Sequence, residues 1–274
     1  MSATSQDVSS AGMAAAIEAN LNAVYPLFGR APATELHDDA PDLRWYSTPD
    51  VPYPLFNHVY WTRLAQEAID ARIEEVSQHF AAHQVPLMWS VGPFSSPSEL
   101  GSHLEAHGLA HVEEMPGMAV DLQALNEDIP FPADLEIERV SNAEVLREYI
   151  EVARVGFEMP DFTNEGFFEL LTAIGLTEES PWQSYVGRLD GEVVTTASLA
   201  PAAGIGGIFN VVTLPKARRQ GLGAAMTLTA LREARELGCR IGILQSSVMG
   251  LGVYRRLGFE RYSTYSVYVG TGQN

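Results

Sequence analysis

The chain contains one cysteine, Cys239, in 274 residues. No intrachain disulfide can form, and a multi-cysteine metal site is excluded. Cys239 follows Glu236-Leu237-Gly238 at a helix end, which reads as an inert buried thiol rather than a nucleophile. Lysine is equally scarce: Lys216 is the only one. Positive charge is short overall, and the net charge of −18 argues against nucleic acid as a partner. No apolar run approaches membrane-spanning length, so no membrane role is expected. No Lys or Arg precedes the first apolar residues, and the apolar stretch 13–17 is too short for a secretion signal. A soluble, cytoplasmic protein is the expectation. Also missing are a Gly-Lys-Ser/Thr phosphate loop, a third glycine at dinucleotide-fold spacing, a His-Glu-x-x-His pair and a nucleophile elbow around any serine.

Hydrophobic residues make up 46% of the chain, enough for a packed core. The length suits one large domain or two modest ones. Charge is uneven along it: 19 acids against 4 arginines precede Leu135, and 16 acids against 13 bases follow. The later bases include a cluster formed by Lys216, Arg218, Arg219, Arg255 and Arg256. The acidic surface could concentrate a cationic amine, although solvation alone would also explain it.

The most informative segment begins Val211-Val212-Thr213 and continues through Pro215, Lys216, Arg218, Arg219, Gln220, Gly221, Leu222, Gly223 and Ala224. It reads as a strand end, a turn, a basic glycine loop and a helix start. Such a helix start offers unpaired N–H groups and partial positive charge to a phosphate. Gly221 and Gly223 allow close approach of the backbone, and the arginines add charged donors. Downstream, Tyr254 lies four residues before the pair Gly258-Phe259.

Arg218-x-x-Gly221-x-Gly223 followed by Tyr254 and Gly258-Phe259 resembles the acyl-CoA loop and downstream tyrosine of the GNAT acetyltransferase superfamily. The resemblance implies a mixed α/β (α+β) fold with a mostly antiparallel central sheet flanked by helices. It also implies acetyl-CoA as cosubstrate, no metal and a primary amine, most simply a small molecule, as acceptor. Backbone groups of Val211, Val212 and Thr213 would hold the pantetheine and orient the acetyl carbonyl. The segment from Arg219 to Ala224, with Arg218, would hold the pyrophosphate, and Ser247 would lie along the pantetheine arm. Tyr254 would protonate the leaving thiolate. Glu158 is a candidate base, Asp161 a second, and Asn210 could orient a water. A non-catalytic acyl-CoA-binding or scaffold module is the alternative reading. A homodimer is compatible with the resemblance.

From Leu135 the element order fits this family. A strand is expected over 135–140, then a helix capped by Ser141 or Asn142 and running to Phe157, and a second helix over 164–174. Strands over 182–189 and 192–199 flank the turn Asp190-Gly191. The central strand is expected over 208–212, a long helix over 223–237 closed by Gly238, and further strands over 240–245 and 261–269.

The first half reads as a worn copy of the same unit. Leu55-Phe56-Asn57-His58-Val59-Tyr60 parallels Ile208-Phe209-Asn210-Val211-Val212-Thr213. The offset is 153 residues there and 150 at Gly108 against Gly258, which supports duplication. The predicted copy has a helix over 64–79, a strand over 86–89, a helix over 99–107 and strands over 111–122. Its loop region, Trp61 to Ala68, has no glycine, and the position matching Tyr254 falls near Leu104. The expected layout is a degenerate GNAT-like domain over 1–125, a Pro- and acid-containing linker over 126–134 and a catalytic domain over 135–274.

All seven histidines lie in the first half. His79/His83 and His103/His107 have one-turn helical spacing and could ligate zinc. Without cysteines or a His-Glu-x-x-His pattern, they read as surface or hydrogen-bonded histidines.

Overall fold

The computed structural model describes residues 7–38 and 40–272. The chain forms two compact units, each built from two chain segments. A major unit comprises the residues up to Ala23 and Gly117–Tyr262. A minor unit comprises Val24–Pro116 and the residues from Ser263 onward.

The minor unit contains β1 (Glu35–His37), β2 (Leu43–Ser47), β3 (Asn57–Thr62), α2 (Ile69–Ala82), β4 (Leu87–Val91) and α3 (Leu100–Ala106). β5 (Ala110–Asp121) leaves it for the major unit. The major unit begins with α1 (Ser10–Val24), which lacks a clear apolar stripe and was not expected from the sequence; Ser9 Oγ accepts from the Gly12 N–H at 3.2 Å at its start. After β5 come β6 (Glu136–Arg139), α4 (Ala143–Gly156), α5 (Thr163–Ile174), β7 (Gln183–Leu189) and β8 (Glu192–Ala202). Then follow β9 (Ile205–Thr213), α6 (Leu222–Glu236), β10 (Ile241–Gln245), α7 (Leu251–Arg256) and β11 (Glu260–Gly270), whose second half belongs to the minor unit.

In the major unit the strand order is β5-β10-β9-β8-β7-β6; in the minor unit it is β1-β2-β3-β4-β11. The sheet is mixed, mostly antiparallel and flanked by helices. The parallel pairs are β9/β10 and β3/β4. Both repeats thus run strand, helix, parallel strand, helix, strand.

Local chemistry explains the boundaries. Asn142 Oδ1 accepts from the N–H groups of Glu144 and Val145, both at 3.0 Å, and starts α4. Asp190 and Gly191 both have positive φ, which is the backbone a tight hairpin between twisted strands requires. Gly238, at φ +85°, ends α6, and the Cys239 N–H returns to Ala234 O at 3.0 Å. Burial raises the pKa of the Cys239 thiol, in keeping with an inert role.

The major core joins Met226, Leu228 and Leu231 of α6 to Leu199, Ile208 and Leu244 of the strands. The minor core joins Ile73, Val76 and Phe80 of α2 and Leu100 and Leu104 of α3 to Val59 and Trp89. Two expectations in the first half shift. Leu55 and Phe56 lie in a 3-10 turn over Pro54–Phe56, because Pro54 sets a helical φ at its start. Residues 64–68 do not join α2: the Leu64 N–H is taken by Ser96 O at 3.0 Å, which holds Leu64 out of the helix, and Gln66–Ala68 form a 3-10 turn.

Candidate active site

β9 carries the local irregularity that makes a site. β10 pairs with it as far as Leu244 opposite Ile208, and no further. β9 continues through Thr213, so residues 209–213 lack a β10 partner and the two parallel strands part. On its other edge β9 is bulged: Thr196 faces Val212 and Ser198 faces Phe209, leaving Asn210 and Val211 opposite Ala197. Asn210 has φ +50°, a strained conformation for a non-glycine residue. Bulges bend the strand and re-aim its side chains.

A buried hydrogen-bond chain supports this bend. Asn210 Nδ2 donates to Tyr149 Oη at 3.0 Å, and Tyr149 Oη lies 2.6 Å from Ser198 Oγ. Ser198 Oγ lies 3.1 Å from Ser184 Oγ, which accepts from Trp182 Nε1 at 3.2 Å. The Thr196 hydroxyl donates to Asn210 O at 2.9 Å. Burial raises the pKa of Tyr149, so its phenol stays protonated. Sequence spacing placed Tyr149 on the apolar face of its helix; its polar partners, three strands away, left no local signal.

The loop after β9 turns through a 3-10 segment, Pro215–Ala217, and enters α6. Arg219 has φ +65° and Gly221 φ +85°. Gly221 is the N-cap, and no side chain caps the helix. A Cβ at Gly221 would collide with Pro130 O, so the fold itself demands glycine there. Gly223 differs. A Cβ there would meet only Val211 Cγ1 at 3.7 Å and Thr213 Oγ1 at 3.8 Å, ordinary contacts. A methyl group would therefore fit between this helix start and β9 without displacing either. Val211 and Thr213 face that space, whereas Val212 faces α4, where a Cβ on Gly156 would strike it. Leu222 and Ala224 are buried and anchor the helix start; Gln220 is exposed.

Charge is distributed unevenly around this loop. In the major unit Arg139, Arg147, Arg154, Arg188, Arg232, Arg235 and Arg240 all pair with carboxylates. Lys216 pairs with Glu192. Arg218, Arg219, Arg255 and Arg256 have no carboxylate partner among the described residues; Arg218 Nε donates to Thr213 O at 3.0 Å. Arg218 and Arg219 thus stand without a carboxylate next to an uncapped helix start, in a chain of net charge −18, an arrangement that favours an anion.

Tyr254 sits on α7. Its ring is buried, packs edge-on against Phe259 and makes no hydrogen bond through its hydroxyl within the described residues. Burial pushes its pKa up to about 12. A Cβ on Gly250 would touch both the Tyr254 ring and Ser246 Oγ, so these groups share one small volume. Ser246 is buried and its hydroxyl donates to Ser247 O at 2.7 Å. Ser247 is exposed, and its Oγ accepts from the Gly250 N–H at 3.3 Å. Glu158 is exposed, at φ +56°, in the connection between α4 and α5. Asp161, in the same connection, is ion-paired to Arg154 at 2.7 Å. Phe157 and Phe162 flank these acids and are exposed.

Residues 126–134 carry no helix or strand, yet they are tied along the major unit. Asn126 donates to Leu257 O and Arg256 O at 3.1 and 2.8 Å. Glu127 holds Arg232 and Arg235 at 2.8 and 2.7 Å. Pro130 and Phe131 lie against Gly221. Among the described residues no helix is long and apolar enough to cross a membrane.

Residues 144–259 match the model of the acetyltransferase (GNAT) family. Among solved structures, the chain is similar to a GCN5-related N-acetyltransferase from Kribbella flavida, at 24% identity and TM-score 0.68, over 92% of this chain and 95% of that one. It is similar to a GCN5-related N-acetyltransferase from Sphaerobacter thermophilus at 18% identity and TM-score 0.63, covering 87% and 83% of the two chains. A tandem GNAT protein from the clavulanic acid biosynthesis pathway aligns at 16% identity and TM-score 0.60, covering 89% and 85%. No match is found among curated proteins. The parted parallel strands, the glycine loop and the matched segment together place residues 144–259 in the GNAT acetyltransferase family.

Proposed function

We propose that the major unit transfers an acetyl group from acetyl-CoA to a primary amine by direct attack within a ternary complex. The observation that carries this reading is Gly223, a glycine that the fold does not require. Its missing side chain keeps clear the approach to an uncapped helix start flanked by unpaired arginines. N–H groups from Arg219 to Ala224, with Arg218, would bind the pyrophosphate. The β9 edge at Val211, Val212 and Thr213 would pair with the pantetheine amides, and Ser247 would lie along that arm. Glu158, Phe157 and Phe162 would border the acceptor, which suits a cationic amine with an apolar portion.

In the reaction the amine nitrogen attacks the thioester carbon, the C–S bond breaks and the nitrogen proton ends on sulfur. A tyrosine at about 12 is a weaker acid than a thiol, whose ordinary value is about 8.5. Tyr254 therefore acts by hydrogen-bonding the developing thiolate and relaying the proton, and does not remain ionised. Asn210, tethered to Tyr149, would fix the bend that presents the carbonyl.

Calorimetric titration with acetyl-CoA tests the reading, with Gly223→Glu as control. Wild-type binding that the variant loses is expected. It should be followed by free-thiol release with one or more members of a primary-amine panel. Binding without thiol release across such a panel would favour a non-catalytic acyl-CoA-binding module, and no wild-type binding would overturn the site.

A further inference from the structure

A different cluster, in the minor unit, has no part in this chemistry. Glu35 and His37 alternate along β1 and so share one face of that edge strand. His79 lies in the last turn of α2 and His83 caps the helix, one turn further on. Glu35, His79 and His83 converge, and His37 lies beside Glu35. The Nε2 atoms of His79 and His37 lie 3.6 and 3.8 Å from Glu35 Oε2. Ligand atoms of Glu35, His79 and His83 all fall within 4.8 Å of one another. We infer that Glu35, His79 and His83, with His37 as fourth ligand, form a binding site for one zinc-class divalent ion.

Two observations separate this cluster from a chance gathering of surface histidines. The first is its spacing. On the other side of α2, Asp70 Oδ1 lies at hydrogen-bond distance from His103 Nδ1 and His107 Nε2, 2.8 and 3.1 Å. Each of those imidazoles has a hydrogen-bonded nitrogen, and His107 Nδ1 also lies 3.6 Å from Glu74 Oε2. Around Glu35 the distances are too long for hydrogen bonds. The His79 and His37 distances to Glu35 lie near the separation of about 3.4 Å between ligand atoms that Zn–N and Zn–O bonds of about 2.0–2.1 Å create in a tetrahedron. The second is His79 Nε2, an atom buried from solvent, aimed at Glu35 and without a hydrogen-bond partner. Buried polar atoms in native proteins find partners, and a metal supplies one here.

The surroundings suit the role. The indole of Trp45 stacks on His37 at 3.7 Å and meets His79 edge-on at 4.6 Å, fixing both rings. An adjoining cleft of about 510 Å³, lined in part by His37, Trp45 and His79, gives an ion a way in. Three imidazoles and one carboxylate favour zinc and its neighbours over magnesium or calcium. The bound ion would pin a three-residue edge strand to the end of α2. The one-turn spacing of His79 and His83 was visible in the sequence, but Glu35 and His37 lie more than forty residues upstream and carry no motif.

The test uses the full chain without a polyhistidine tag. Zinc binding is measured by calorimetry and elemental analysis, and cobalt substitution by visible absorption. One equivalent per chain is expected, with micromolar or tighter affinity and the intense visible bands of tetrahedral cobalt. The double variant His79→Asn/His83→Asn should bind at least 100-fold more weakly. Glu35→Gln, at an exposed carboxylate that does not threaten folding, should bind at least tenfold more weakly. His103→Asn/His107→Asn should bind as wild type. Absence of stoichiometric zinc in the wild type would overturn the assignment. So would a zinc equivalent that survives Glu35→Gln unchanged, or one that disappears only with His103 and His107.

Discussion

Phe209-Asn210 and Phe56-Asn57 match in sequence between the two halves, yet Asn57 opens β3 behind a 3-10 turn while Asn210 lies within β9, and their amides behave differently. Asn57 is fully buried and uses its whole hydrogen-bonding capacity. Its Nδ2 donates to Val51 O and Tyr53 O at 2.9 and 3.1 Å, and its Oδ1 accepts from the Thr48 N–H and the Ser47 hydroxyl at 3.1 and 3.2 Å. It locks a loop shut. Asn210 stands half-buried at a bulge, at positive φ, with one side-chain bond to Tyr149. The rest of the pair follows suit. Neither helix start has a side-chain cap, but α6 begins at a left-handed glycine and α2 at Ala68 in right-handed backbone. Tyr254 brings an unbonded hydroxyl where the first repeat has Leu104, wholly buried in the core. One architecture therefore carries two local chemistries: Asn57 spends its whole amide on the fold, whereas Asn210 and Tyr254 keep polar capacity that the fold does not use.

The contrast is broken most sharply at Tyr254 and Leu104. Tyr254→Phe removes a hydroxyl that supports nothing in the protein, so turnover should fall about 100-fold while stability stays within about 0.5 kcal/mol. Acetyl-CoA affinity should be unchanged. Leu104→Ala should do the reverse, costing about 2–5 kcal/mol of stability and leaving acetyl-CoA affinity intact. Steady-state kinetics, calorimetry and denaturant titration measure all of these; unaltered turnover in Tyr254→Phe would remove the residue from the reaction.

A smaller effect sharpens the comparison through pH. His58 is buried in the minor unit, lies 2.8 Å from Ser90 Oγ and meets Tyr25 edge-on. Burial lowers its pKa from 6.5 to about 3. Below pH 6.5 the unfolded chain takes up a proton that the folded state refuses. The stabilisation is therefore complete above 6.5 and declines as pH falls toward 3. The loss is about 1.4 kcal/mol per pH unit, or about 2 kcal/mol between pH 6.5 and 5. Denaturation of wild type and His58→Gln across that window should differ by this slope; parallel curves would refute it.

The smallest effect on the fold, and the most telling, is expected at the two loop glycines. Gly223→Ala meets only ordinary contacts and should leave stability within about 1 kcal/mol, yet weaken acetyl-CoA about tenfold or more. Gly221→Ala, at φ +85° against Pro130 O, should cost about 1–3 kcal/mol in stability. Equal destabilisation by both would erase the distinction between a structural and a ligand-facing glycine.

What was legible in the sequence follows from how local each signal is. The Asn142 cap, the Asp190-Gly191 turn and Gly238 fixed the elements of residues 136–245 to within a few positions, because each acts on its own neighbours. The basic glycine loop was visible for the same reason. Hidden were features set by distant partners: α1, whose Asn20 donates to Ala200 O and Ile205 O at 3.0 and 3.1 Å; the short strands β1 and β2; and the Tyr149–Ser198–Ser184 chain. The helix expected to begin at Leu64 begins later because Ser96, thirty-two residues on, claims the Leu64 amide.

The assignment of the chain's last strand residues to the minor unit has a consequence for the order of events at the ribosome. β4 pairs with Ser266 to Gly270 of β11, so the minor unit, nearly complete at Pro116, lacks its closing strand until about 150 further residues have been made. At about 5–20 residues per second, the wait is on the order of ten seconds or more. During that time β4 presents an unpaired edge, and the half of the molecule made first is the last to be finished.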